Sequence, residues 1–434
     1  MGAKVDDWPA WPEFTAETGE KSDDLIDYKR AIANRFGAEH IRNSWLEVCE
    51  QLKYITDDIA SRGSAAIPEV QYDEFFTQSP EQRKKLMDIG CFAVRNVFDR
   101  EQADAWFRDL KSYVEQNTGR YACWPQEAPY IFSLYYSPTQ VAARTHPNQL
   151  KLSRELNSWW HDDSGASTPD PLSYADGFRI RPPGKSFLGL GPHIDAGSLC
   201  RWADAGYLGF YSAVFSGEPE KLDLFDLTIR QTADQAMFPG SAQSRVLRSF
   251  QGWTALSSAG PGEGSLLLYP NVKWVIAYVL LRPFFQAPLD GDMMDATRWT
   301  FEVESPWFPG TFKDDSQLLS PSSHPHLRMK ECLVPIPRMN PGDTVWWHAD
   351  MCHAVEAEHH GDHEACVAYI AATPSTKVNK NYMKQQAEGF LTGMAPLDFS
   401  RGVNEQALEL YTGEASILSG EHGRQAMGLG LVAS

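Results

Sequence analysis

Gly191-Pro-His-Ile-Asp-Ala-Gly197 and, later in the chain, Pro341-Gly-Asp-Thr-Val-Trp-Trp-His-Ala-Asp-Met-Cys-His-Ala-Val355 are the segments that decide how this sequence is read. In an extended strand alternate side chains share a face, so His193 and Asp195 present an imidazole and a carboxylate to one point. A third metal ligand must then come from another strand. In the second segment Pro-Gly-Asp turns the chain into an apolar run, Thr344-Val-Trp-Trp347, and histidines follow at 348 and 353. Two histidines and one carboxylate on one face of an octahedral ion leave three positions open, the arrangement in which non-haem Fe(II) takes a 2-oxo acid and O2.

Around these motifs, short segments at 177–181, 249–256, 264–269, 343–347 and 365–372 are rich in Val, Ile, Trp, Tyr and Leu and are bounded by Pro/Gly turns. That pattern predicts a β-sandwich or barrel, not a doubly wound α/β sheet. The first twenty-odd residues read as an extended arm. From Leu25 to Ile59 apolar residues recur at helical spacing with a break at Gly37, which predicts two amphipathic helices that pack on a core. Residues 91–98 have strand composition, and Asp99 with Gln102 has capping-box spacing ahead of a helix through about Gln116. Residues 217–244 and 283–325 read as long insertions between strands. The expected division is an arm and helices over 1–85 and a catalytic domain over 86–434.

Composition narrows the partners. Asp and Glu outnumber Lys and Arg by 57 to 39, a net charge of −18, so the average field repels nucleic acid and anionic membranes. The longest strongly apolar stretch, 274–281, is far short of a membrane span. Seven scattered cysteines without a CxxC pair argue against a disulfide framework or a thiolate zinc site. The expectation is a soluble cytoplasmic protein acting on a small molecule.

The motifs resemble the double-stranded β-helix oxygenases of the phytanoyl-CoA-hydroxylase-like branch, in which a turn, a hydrophobic strand and a distal histidine recur in that order. The resemblance narrows to the DUF1479 (Gig2-like) family. The residues that carry it are Arg179-Ile-Arg-Pro-Pro-Gly184, Gly191-Pro-His-Ile-Asp-Ala-Gly-Ser198 with Arg201-Trp202, Phe250-Gln-Gly-Trp-Thr-Ala-Leu-Ser257, Pro341-Gly-Asp-Thr-Val-Trp-Trp-His348 and His353-Ala-Val-Glu356. One departure is Ala196-Gly197, where two glycines are expected. The resemblance implies an α+β fold with a jelly-roll, cupin-like core and an N-terminal helical extension. It also implies Fe(II) held by His193, Asp195 and His353, with 2-oxoglutarate and O2 as cosubstrates. His348 is the rival for the distal position and is otherwise a substrate-facing or supporting residue.

A 2-oxoglutarate carboxylate buried in a barrel needs a cation, preferably a guanidinium fork. The region where relatives supply it, 362–372, has neither Arg nor Lys. Arg248 is then the first candidate, with Arg181, Arg179 and Arg201 as the others and Trp253 beside them. Tyr135, Tyr136, Trp253, Trp346 and Trp347 suggest an aromatic cavity, and the surplus arginines suit a carboxylate substrate such as an amino acid. His146 is a further pocket candidate, while His359, His360 and His363 read as a solvated hairpin loop. The runner-up function is a non-redox hydrolase or isomerase using the same ligands for Zn(II) or Mn(II).

Overall fold

The computed structural model describes residues 22–432 except 126–129, 185–189, 241–243 and 400–401. The N-terminal arm expected from the sequence lies outside the described residues. The chain forms a mixed α+β structure around two β-sheets.

The larger sheet has eight strands in the order Glu69–Gln71, Cys91–Arg95, Thr344–His348, Phe250–Ala255, Ala365–Ala372, Phe178–Arg181, Ile131–Phe132 and Cys123–Trp124. Only its first pair is parallel. The smaller sheet is antiparallel, in the order Gln317–Leu318, His193–Ile194, His353–Val355, Leu266–Leu268 and Val334–Pro335. The predicted strand segments all fall in these sheets, within two residues at each boundary except that the one read at 91–98 ends at Arg95. The central strands of the large sheet are buried on both faces, which is why they read as continuous apolar runs.

The two N-terminal helices run Asp24–Phe36 and Ala38–Arg62, broken at Gly37 with φ 95°, where a side chain would be strained. The second helix buries Trp45, which stacks on Phe285 at 4.3 Å and donates its indole N–H to the Ala296 carbonyl at 3.2 Å. It also packs along Val272–Leu281, a helix buried on nearly every side. The apolar stretch noted in the sequence is therefore a core helix, and among the described residues no helix is long and apolar enough to cross a membrane. The helix after Asp99 runs Arg100–Gln116, although the Asp99 side chain makes no capping hydrogen bond.

The insertion at 283–325 is more structured than a loop. It holds a small hairpin, Phe285–Gln286 with Thr300–Phe301, and it supplies Gln317–Leu318 as the edge strand beside His193–Ile194. The histidine loop also differs from expectation: His360 and His363 are exposed, but His359 is only 2% exposed and accepts the Gly361 N–H.

Candidate metal centre

His193 and His353 sit on neighbouring strands of the smaller sheet in direct antiparallel register. Asp195 follows at the end of the first strand. One ligand atom from each of the three lies within 4.8 Å of the others. His193 Nε2 is 3.4 Å from Asp195 Oδ1, and His353 Nε2 is 3.7 Å from Oδ2.

The backbone chooses the tautomer of both rings. His193 Nδ1 lies 2.7 Å from the Gly191 carbonyl and His353 Nδ1 lies 3.0 Å from the Met351 carbonyl. A carbonyl only accepts, so each Nδ1 carries the proton and each Nε2 turns its lone pair toward Asp195. The electrostatics favour an ionised Asp195 beside a neutral His353. Burial and the neighbouring His193 push His353 down to about 4, keeping it neutral. Burial works against ionised Asp195, yet the His193 hydrogen bond and nearby positive groups hold its carboxyl well below the usual range. For His193 burial pulls down, and the Asp195 hydrogen bond and charge more than offset it. This donor set fits a divalent ion of borderline hardness with open coordination positions.

The loop carrying Asp195 is held from behind. Arg201 donates to the carbonyls of Asp195, at 2.8 Å, and Gly197. Tyr207 donates its hydroxyl to the Ala196 carbonyl at 3.2 Å. Three successive carbonyls are therefore fixed. Arg201 in turn lies 3.6 Å from Asp350, both fully buried, and Arg230 donates to the Tyr207 oxygen at 3.0 Å. Asp350 is held below the normal carboxylate range, burial notwithstanding, by Arg230 and Arg201. Ala196 adopts φ 64°, so alanine at this departure from two glycines occupies a left-handed conformation.

The triad lies in the wall of a cavity of about 560 Å³ that Arg248, Gln251, Trp253, Trp347 and Tyr369 also line. Arg248 Nη2 is 4.0 Å from Asp195 Oδ2, and its Nε, like those of Arg179 and Arg201, is buried without a hydrogen-bond partner. The other three arginines are committed elsewhere. Arg179 donates to the Gly264 carbonyl at 2.9 Å and stacks on the far side of Trp253, at 4.5 Å. Arg181 donates to the carbonyls of Glu356 and Ala357, each at 2.5 Å. Arg201 holds the metal loop. None of these three lines the cavity.

His348 is buried away from it. Its Nδ1 accepts the Asp350 N–H at 3.0 Å, its Nε2 faces the Leu224 carbonyl at 3.1 Å, and its ring stacks on Trp160. Neither nitrogen is left for a metal. Trp346 points to the same face as His348 and donates to Thr344 Oγ1, whereas Trp347 points into the cavity and donates to Gln251 Oε1 at 2.8 Å. Tyr135 and Tyr136 lie in a separate apolar cluster, where their backbone N–H groups donate to Glu405. His146 caps the helix Pro147–Asn157 by accepting the Asn148 N–H. Sequence reasoning missed Asp176, Gln251 and Tyr369 as cavity residues. Gln251 stands in the same strand as Trp253 and at its alternation, so period-two counting reaches it, whereas Tyr369 is brought beside Trp253 by the register of a second strand.

Fold and site together define a mixed α+β protein with a buried cluster of two histidines and one carboxylate able to hold a metal. The chain belongs to the Gig2-like family, whose model matches residues 21–429. It is 29% identical over 429 residues to the uncharacterised protein YbiU of Escherichia coli K12, spanning 93% of this chain and 97% of that one. The crystal structure of Candida albicans Gig2, product of a GlcNAc-inducible gene, superimposes with a TM-score of 0.85 at 26% identity. That match covers 95% of this chain and 91% of the other. The Escherichia coli protein JW0805 superimposes with a TM-score of 0.79 at 28% identity, over 94% and 99% of the two chains.

Proposed function

We propose that this protein is a non-haem Fe(II)- and 2-oxoglutarate-dependent oxygenase that oxidises an unactivated C–H bond of a small molecule. The two sheets then belong to a double-stranded β-helix core within residues 86–434, on which the helices of residues 1–85 pack and to whose larger sheet Glu69–Gln71 adds an edge strand from outside those bounds. The observation that carries the reading is the convergence of His193 Nε2, His353 Nε2 and the Asp195 carboxylate on a cavity that also presents Arg248. The seven unpaired cysteines suit a reducing compartment, and we place the enzyme in the cytoplasm.

Bound Fe(II) with 2-oxoglutarate supplies the oxidation, in which O2 and the oxo acid yield succinate, CO2 and an oxidised substrate. The chain's own residues do the rest. The carbonyls of Gly191 and Met351 hold the proton at Nδ1 of each neutral imidazole, so Nε2 of both rings is the nitrogen that would ligate the metal. Arg201 and Tyr207 fix the direction of the Asp195 carboxylate by holding its loop. Arg248, raised by Asp195, Tyr174 and Asp176 against the pull of burial, stays charged and pairs with a carboxylate of the oxo acid. Trp253, Trp347 and Tyr369 close the cavity wall with apolar surface and limit the water that reaches the metal.

Anaerobic titration of the Fe(II)-loaded protein with 2-oxoglutarate tests the reading. A metal-to-ligand charge-transfer band should appear, and admitting O2 should yield succinate. Metal binding without the band would favour the non-redox hydrolase or isomerase.

A further inference from the structure

The charges on the cavity wall bear on the substrate. On the oxygenase reading, on which this inference rests, the triad serves the metal and Arg248 serves the oxo acid. Among the described residues, the charged side chains then left on the wall are Asp176 and Asp315, both acidic. Arg179, Arg181 and Arg201 hold backbone carbonyls and lie outside the cavity. No described cation remains for a substrate carboxylate, so the carboxylate substrate expected from the sequence's surplus of arginines loses its support.

Asp176 stands just ahead of the strand Phe178–Arg181. Its Oδ1 accepts the Gly177 N–H at 2.7 Å, and among the described residues it has no ion-pair partner. Burial raises its carboxyl and Arg248 lowers it, so the ionised form gains if a cation arrives. The same wall offers aromatic surface. Trp253 stacks on Tyr369 at 6.0 Å, and Trp347 meets Trp253 edge-on at 6.1 Å. Aromatic faces beside a carboxylate suit an ammonium group, because the ring quadrupole and the anion attract it together. Asp315 is exposed and adds field of the same sign.

We propose that the substrate carries a protonated amine, which Asp176 receives beside Trp253, Trp347 and Tyr369, and that it needs no carboxylate. The test uses three probes of one chain length, hexylamine, N-hexylacetamide and hexanoate. Each is titrated calorimetrically into the protein loaded anaerobically with Fe(II) and 2-oxoglutarate, and into the metal-free protein. Hexylamine should bind at least tenfold tighter than the other two in the loaded protein, and at least tenfold tighter than N-hexylacetamide in the metal-free protein, where Arg248 is open to hexanoate. Asp176→Asn should erase that preference, and Asp176→Glu, which keeps the charge, should retain part of it. Tighter binding of hexanoate to the loaded protein, or an unchanged amine preference in Asp176→Asn, would overturn the proposal. The charge-transfer band is recorded before any probe is added. A band without amine preference overturns the amine proposal alone, whereas a missing band removes the oxygenase reading beneath it.

Discussion

His193 and His353 face each other across adjacent antiparallel strands, with ring centroids 4.2 Å apart. Each ring is anchored at Nδ1 to the carbonyl two residues before it, so the same local turn is used on both strands. The pair is thus a product of register, since a slip of one residue would turn one ring to the opposite face of the sheet.

Removing either ring, or Asp195, deletes one of the three ligands proposed for the metal. His193→Ala, Asp195→Ala and His353→Ala should each abolish Fe(II) binding in an anaerobic metal titration. His348→Ala should keep the metal and lose stability instead, because it removes a stacked ring and leaves the Asp350 N–H unpaired. Iron retained by His353→Ala and lost by His348→Ala would reverse the assignment.

Of the four candidate arginines Arg248 is the one that lines the cavity with the triad. Arg248→Ala should weaken 2-oxoglutarate binding by about 100-fold or more, since leaving a desolvated anion unpaired costs roughly 3–5 kcal/mol. Iron binding should persist, and Arg248→Lys should recover only part of the affinity because it lacks the planar fork. Arg179→Ala and Arg181→Ala should affect stability more than the oxo acid, as both are bonded to backbone. The charge-transfer titration separates the four variants.

Asp350 is linked to the loop that carries Asp195 through Arg201. Asp350→Asn leaves two buried guanidiniums without their counter-charge and loosens the hold on the Asp195 loop. Iron affinity should fall by about tenfold, the lower end of what supporting contacts to metal ligands contribute. An unchanged iron Kd in a folded Asp350→Asn would exclude this positioning role.

Ala196 is a β-carbon residue at positive φ. Ala196→Gly relieves a strain of about 1 kcal/mol, partly offset by the extra freedom of glycine in the unfolded chain. Thermal unfolding should show a small rise in Tm with unchanged iron stoichiometry.

Glu405 is fully buried, and burial pushes its carboxyl up to about 7 despite the backbone N–H groups of Tyr135 and Tyr136 that it accepts. Between its unfolded value of about 4.5 and 7 the folded state holds the extra proton. Its contribution is therefore complete at low pH and is lost as pH rises through that window, by on the order of 3 kcal/mol. Glu405→Gln should remove this slope, so the difference in unfolding free energy between variant and parent should change across pH 4.5–7 and be flat above it.

Much of the site was legible because its signals are local. Alternation along one strand places His193 and Asp195 together, the Pro-Gly-Asp turn announces Thr344–His348, and Gly37 divides two helices whose apolar spacing is plain. Local signals fail where both faces of an element are buried. In Thr344–His348 every residue is buried, so sequence alternation separates Trp346 from Trp347 without saying which one meets the cavity. Arginine is harder still, because a long side chain on an interior face can turn to a carbonyl, as Arg179 and Arg181 do, or stay open, as Arg248 does.

The sequence by itself determined the ligand types, their order in the chain, the family and the strand-rich core, since these follow from residue identity and short-range periodicity. Only the tertiary structure decided that His353, not His348, turns its free nitrogen to Asp195, that Arg248 alone of the four arginines lines the cavity, and that Asp176 lines it too without an ion pair among the described residues. Those outcomes depend on which carbonyls and charges arrive from distant segments, and a side chain's hydrogen bonds are settled by the partners packed around it.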